Sequence, residues 1–151
     1  MKFDENQPSR SKILSDRVYP FINPVRAGFP SPAAEYIESE LNPIDLLVPN
    51  PDSSFFGKVL GNSMEDVFVR NGDLIIVDRS IEPRNGHVVV GTYEGAFLTK
   101  ILQIEGKRRT LVSGNPLYPP IPITNENEFQ LWGVVRCSCH DLLGGWGVRP
   151  R

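Results

Sequence analysis

From residue 52 onward the chain is a succession of short apolar runs, each closed by a turn signal and none carrying a sustained helical period. The runs are Phe55 to Leu60, Leu74 to Val77, Val88 to Tyr93, Phe97 to Ile104, Thr110 to Ser113 and Phe129 to Cys139. Asn71-Gly72, Asn85-Gly86 and Glu94-Gly95 stand between them, and glycine in such pairs supplies the positive φ that tight turns demand. With no long helix to cover a parallel sheet, the pattern predicts a mostly β fold: a single, mostly antiparallel domain with strongly bent sheets or a partly closed barrel.

The first part of the chain reads differently. Residues 1 to 26 are polar and aperiodic, and Pro24, Pro30 and Pro32 push Asn23, Phe29 and Ser31 away from helical angles. The segment around Ala27-Gly28 is therefore expected to be extended. Ser31 as N-cap and Pro32 at the first helical position then predict a short helix through Leu41, closed by Asn42-Pro43. The expected organisation is a flexible N-terminal arm with a short helix over residues 1 to 50, a β domain over 51 to 141, and a loosely attached tail over 142 to 151. At 151 residues and 40% apolar, the chain has enough material for one core.

Charge narrows the function. With 18 acids against 16 bases and a net charge of -2, no phosphate-binding surface is expected, and direct sequence-specific DNA binding is not the expected activity. The first 20 residues carry no signal-peptide pattern, and no later stretch approaches the ~18 apolar residues of a membrane span. A cytoplasmic protein without membrane attachment is expected. Cys137 and Cys139, two apart in a strand, are awkward partners for a disulfide and are expected to be reduced. His140 and Asp141 beside them sketch a metal site, but no second ligand pair exists elsewhere in the sequence. No metal and no cofactor is expected.

Two residues stand out chemically. Lys100 lies in the run Leu98-Thr99-Lys100-Ile101-Leu102, where strand alternation gives it a face shared with Leu98 and Leu102. Burial there disfavours the ammonium, and a neutral amine is the base that a serine nucleophile needs. Ser63 lies in Gly61-Asn62-Ser63-Met64, where a run ends and the chain turns, so a small hydroxyl can stand clear while nearby backbone N–H groups remain available to an oxyanion. Each signal alone has an ordinary reading: Ser63 as a turn residue, Lys100 as an edge lysine that snorkels to water. His87 and His140 are the only histidines, and a serine–histidine enzyme would need one of them beside Ser63.

Five ordered segments resemble UmuD and its relatives among the LexA-like self-cleaving serine peptidases. They are Ala27-Gly28-Phe29-Pro30-Ser31-Pro32-Ala33-Ala34-Glu35-Tyr36, Gly61-Asn62-Ser63-Met64, Asn71-Gly72-Asp73-Leu74-Ile75-Ile76-Val77-Asp78, Phe97-Leu98-Thr99-Lys100-Ile101-Leu102 and Trp132-Gly133-Val134-Val135. The separations, 36 residues from Ala27 to Ser63 and 37 from Ser63 to Lys100, are similar to those of that group. The resemblance implies the bent antiparallel β fold shared with signal peptidases. It also implies Ser63 as nucleophile, Lys100 as general base, the Ala27-Gly28 bond as substrate, and the backbone N–H groups of Ser63 and Met64 as oxyanion donors. Such a chain cuts itself when stimulated by a RecA filament on single-stranded DNA. The shortened homodimer then joins a UmuC-like subunit in an error-prone translesion polymerase of the SOS response. The run Glu65-Asp66-Val67-Phe68 is bulkier than the glycine-rich stretch usual in the group, and Gly86-His87-Val88 replaces its Gly-Asp turn.

Three other functions compete. A non-enzymatic module that only binds a polymerase would have no need of Ser63, Lys100 and Ala27-Gly28 together. A signal-peptidase-like enzyme would be expected to carry a membrane anchor, and a repressor a longer N-terminal domain.

Overall fold

The computed structural model describes residues 19–22, 37–125 and 128–144, with side chains from residue 41 onward. The chain divides into two compact units, Met1–Pro49 and Asn50–Arg151.

In the first unit, β1 (Tyr19–Ile22) pairs antiparallel with β2 (Ile37–Leu41), Tyr19 standing opposite Leu41. A one-turn helix, Pro43–Leu47, follows. The helix expected from Ser31 through Leu41 is therefore a strand over its described part, while residues 31–36 lie outside the described residues. Local helical spacing loses here because a short helix is marginal alone, whereas pairing with β1 satisfies the backbone groups of two segments at once. Asn42-Pro43 does not stop a helix but starts one. The Asn42 Oδ1 accepts a hydrogen bond from the Ile44 N–H at 3.0 Å, and Pro43 occupies the first turn, where a missing N–H costs nothing.

In the second unit, seven strands form one sheet. They are β3 (Ser54–Lys58), β4 (Leu74–Asp78), β5 (Val88–Tyr93), β6 (Ala96–Glu105), β7 (Arg108–Val112), β8 (Ile121–Ile123) and β9 (Phe129–Cys139). Their order is β3-β4-β9-β5-β6-β7-β8, and every neighbouring pair is antiparallel. The mostly β, antiparallel architecture expected from the turn-punctuated runs is the one observed. β5 and β6 join through Glu94 (φ 49°) and Gly95 (φ 80°), a two-residue hairpin with both central residues left-handed. β8 has no counterpart among the expected runs because Pro122 interrupts it. It lies at the sheet edge, where a missing backbone donor is tolerated.

Successive residues of β5 face opposite sides. Val90 joins Val59, Met64, Val69, Ile75 and Val77 in one buried cluster, while Val89 joins Leu102, Leu111 and Val134 in another. The sheet is therefore apolar on both faces, which is why β4 reads as an unbroken run, Leu-Ile-Ile-Val.

β9 carries two irregularities that aim side chains. Its register slips between Gly133, opposite Val90, and Leu131, opposite Gly91, leaving Trp132 as the extra residue. A second slip leaves Arg136 unpaired between Val135 and Cys137, and its Nε lies 3.9 Å from Asp78 Oδ2. Such bulges re-aim a side chain out of the strict alternation.

Candidate active site

Ser63 sits on the excursion between β3 and β4. The base of that excursion is closed by hydrogen bonds from the Gly72 N–H to the Val59 carbonyl (2.8 Å) and from the Val59 N–H to the Asp73 carbonyl (2.9 Å). Gly61 takes a φ of 90°, and its N–H donates to Asn71 Oδ1 at 2.8 Å. Met64 is almost wholly buried in the first core cluster, so Ser63 stands between a glycine bend and a core anchor. Among the described residues the backbone N–H groups of Ser63 and Met64 have no acceptor, while the next N–H, of Glu65, turns back to the Asn62 carbonyl at 3.4 Å.

Lys100 enters from the middle of β6, opposite the fully buried Val89. Only 8% of it is exposed. Its Nζ donates to Ser63 Oγ at 2.9 Å. Among the described residues no carboxylate forms an ion pair with it, and burial holds its pKa below the ordinary lysine value. The ring of Tyr118 lies 5.5 Å from Nζ, within cation–π range.

The pair opens onto a cleft of about 560 Å³ between β3 and β6. Phe55, Phe97 and Trp132 wall it, the bulged Trp132 meeting Phe97 edge-on at 5.1 Å and Phe55 at 6.4 Å. The Arg79 guanidinium lies 5.6 Å from the Trp132 ring centre. β3 is an edge strand whose far side carries no partner strand among the described residues, a place where an extended peptide could add by backbone pairing.

The structure brings Ser63, Met64 and Lys100 together. Ala27 and Gly28 lie outside the described residues, as does the tail beyond Gly144. Neither histidine serves Ser63: His87 Nδ1 accepts from the Arg84 N–H at 3.1 Å, and His140 Nδ1 lies 2.5 Å from Asp73 Oδ1. Cys137 and Cys139 form no disulfide. Burial, the neighbouring Cys139 and its hydrogen bond push the Cys137 thiol pKa up. Reasoning from sequence missed the segment from Gly114 to Tyr118, which grips the Ser63 turn. Its only trace was a Gly-Asn-Pro turn signal with an aromatic two residues later.

An antiparallel β domain with a buried lysine hydrogen-bonded to a turn serine defines a candidate serine–lysine hydrolase site. A sequence model described as Peptidase S24-like matches residues 20–136, and the chain belongs to that family. It is 38% identical over 114 residues to the protein SamA of Salmonella typhimurium, covering 76% of this chain and 79% of SamA. It is 37% identical over 119 residues to MucA of Escherichia coli, covering 78% and 81%. A LexA repressor of Bordetella avium is 34% identical over 138 residues, 89% of this chain but 64% of the repressor. Among the described residues no helix is long and apolar enough to cross a membrane.

Proposed function

We propose that this protein is a self-cleaving serine peptidase that cuts its own Ala27-Gly28 bond, with Ser63 as nucleophile and Lys100 as general base. The observation that carries this reading is the 2.9 Å contact between Lys100 Nζ and Ser63 Oγ, made by a buried lysine that has no carboxylate partner among the described residues. A lysine at its unperturbed pKa of ~10.4 is neutral only about 0.04% of the time at pH 7; burial enlarges that fraction. A lysine serving only structure would gain nothing from such a position.

In the proposed reaction, neutral Lys100 accepts the Ser63 hydroxyl proton as Oγ attacks the Ala27 carbonyl carbon. The oxyanion is met by the N–H groups of Ser63 and Met64. The Ala27–Gly28 C–N bond then breaks, Lys100 returns the proton to the Gly28 nitrogen, and an Ala27 ester remains on Ser63. Water hydrolyses that ester, releasing Met1 to Ala27 and regenerating the hydroxyl. The resemblance to UmuD, together with relatives named MucA and SamA, extends the reading. Cleavage would be stimulated by RecA on single-stranded DNA, and the shortened homodimer would join a UmuC-like polymerase subunit.

The test is to incubate the purified chain at rising alkaline pH and follow intact mass beside Ser63→Ala and Lys100→Ala. Release of a fragment ending at Ala27 from the parent alone is the expected result. Cleavage at another bond, or undiminished cleavage in either variant, overturns the proposal.

A further inference from the structure

We propose that Tyr118 is a positioning residue of the Ser63–Lys100 pair, fixing the nucleophile turn through Asn62 with its hydroxyl and covering Lys100 with its ring. The proposal rests on the serine–lysine reading of the site.

Four contacts from one short segment converge on the residues around Ser63. The Tyr118 hydroxyl donates to Asn62 Oδ1 at 2.7 Å, and Asn115 Nδ2 donates to the Asn62 carbonyl at 3.1 Å. On the other flank, the Gly114 carbonyl accepts from the Asp66 N–H at 2.7 Å, and the Gly114 N–H points to Met64 Sδ at 3.4 Å. This approach requires glycine, since a Cβ at position 114 would lie 2.8 Å from Val67 Cγ2. The segment also organises itself: Asn115 Oδ1 accepts from the Leu117 N–H (3.0 Å), and its carbonyl accepts from the Tyr118 N–H (3.1 Å). The nucleophile turn is thus clamped on both sides of Ser63, with Tyr118 the outermost contact.

Packing does not account for Tyr118. It is 41% exposed and belongs to neither core cluster, yet its two ends meet the residue before the nucleophile and the lysine itself. The two contacts act differently. The hydroxyl restrains Asn62, hence the direction of Ser63 Oγ, and misdirection of a nucleophile costs rate rather than stability. The ring face favours the ammonium over the neutral amine, so it opposes the effect of burial and raises the pH at which Lys100 becomes a base. The groups facing Lys100 Nζ are Ser63 from the turn and Tyr118 from this segment, with no ion-paired carboxylate among the described residues.

The experiment measures the first-order self-cleavage rate of the full chain against pH for Tyr118→Phe, Tyr118→Leu, Asn62→Ala and the Tyr118→Phe/Asn62→Ala double variant, with Ser63→Ala alongside. Tyr118→Phe keeps the ring, so its rate is expected to fall about tenfold, the worth of one neutral hydrogen bond, with the midpoint of the alkaline rise unmoved. Tyr118→Leu is expected to move that midpoint down by about half a pH unit. The double variant is expected to be no slower than the slower single one, since both remove the same contact. Any of three results overturns the role of Tyr118: a parent-like rate in Tyr118→Phe, multiplying losses in the double variant, or an unmoved midpoint in Tyr118→Leu. Cleavage at Ala27-Gly28 that persists in Ser63→Ala overturns the serine–lysine reading itself, and the role of Tyr118 with it.

Discussion

Lys100 and Ser63 share one hydrogen bond of 2.9 Å, and the direction of that bond depends on the protonation of the lysine. As an ammonium, Lys100 donates to Oγ and holds the hydroxyl inert. In the proposed reaction the free amine accepts the hydroxyl proton and makes Oγ a nucleophile. Burial lowers the pKa, so the folded chain binds the Lys100 proton more weakly than the unfolded chain does. Self-cleavage should therefore rise about tenfold per pH unit and level off below the ordinary lysine range near ~10.4. Lys100→Arg, which keeps the charge but supplies no neutral base, should lose at least ~10²-fold at every pH. A pH-independent rate, or an active Lys100→Arg variant, would count against Lys100 as the base.

Asp78 predicts an acid limit to stability. It is fully buried and accepts hydrogen bonds from Asn50 Nδ2 (2.8 Å), the Ser80 hydroxyl (2.6 Å) and N–H (2.8 Å), and the Ser53 hydroxyl (3.0 Å). These donors, Asn50 and Ser80 foremost, hold its carboxyl far below the usual carboxylate range despite burial. A lowered folded-state pKa gives stability that is present above the unfolded value near ~3.9 and is lost as pH falls below it. Asp78→Asn should cost about 2–3 kcal/mol at pH 7, because an amide confronts donors with a donor. Denaturant melts at pH 7 and pH 3 check this: the gap between parent and variant should narrow at pH 3, and a constant gap would refute the linkage.

Gly91 predicts a packing limit beside the β9 bulge that exposes Trp132 to the cleft. A Cβ there would stand 2.4 Å from two Phe129 ring carbons and 2.5 Å from the Gln130 carbonyl oxygen. The ring could swing aside, but the backbone oxygen belongs to the β5–β9 pairing, in which Thr92 stands opposite Gln130. Gly91→Ala should destabilise by about 1–3 kcal/mol and disturb the wall formed by Trp132. A thermal melt beside tryptophan fluorescence reads both, and a parent-like melting temperature would contradict the close approach.

What was legible in the sequence followed from how local each signal is. The turn glycines Gly86 and Gly95 delimit β5 and apolar composition marks β9, and Val88–Tyr93 and Phe129–Cys139 coincide with the observed strands. The closeness of Ser63 to Lys100 was anticipated from a buried-lysine argument and a resemblance spread over five segments. Ile37–Leu41 misled because five residues with apolar ends suit either period, and its pairing with Tyr19–Ile22 is a long-range fact. Tyr118 was invisible for the same reason: its significance lies in Asn62 and Lys100, 56 residues before it and on another strand.

Phe68 carries the last prediction. It ends the 3-10 turn Glu65–Val67 with a φ of 63° and a ψ of 20°, a left-handed conformation for a bulky residue that is 78% exposed. Such a backbone costs an L-residue roughly 1–2 kcal/mol, and an exposed ring recovers little of it by burial. Glycine removes the strain but adds about 0.5–1 kcal/mol of unfolded-chain entropy. Strain relief is the larger effect, so Phe68→Gly should stabilise the protein by about 0.5–1 kcal/mol, a rise of a few degrees in melting temperature. The turn hydrogen bond from the Phe68 N–H to the Glu65 carbonyl (3.0 Å) survives the change, so Ser63 keeps its support and the self-cleavage rate should stay within about twofold of the parent. Calorimetry and the mass-based cleavage assay test the two halves separately. A lowered melting temperature would mean that the Phe68 ring is held by contacts worth more than the strain, while a stabilised but inactive variant would assign the strained turn to catalysis.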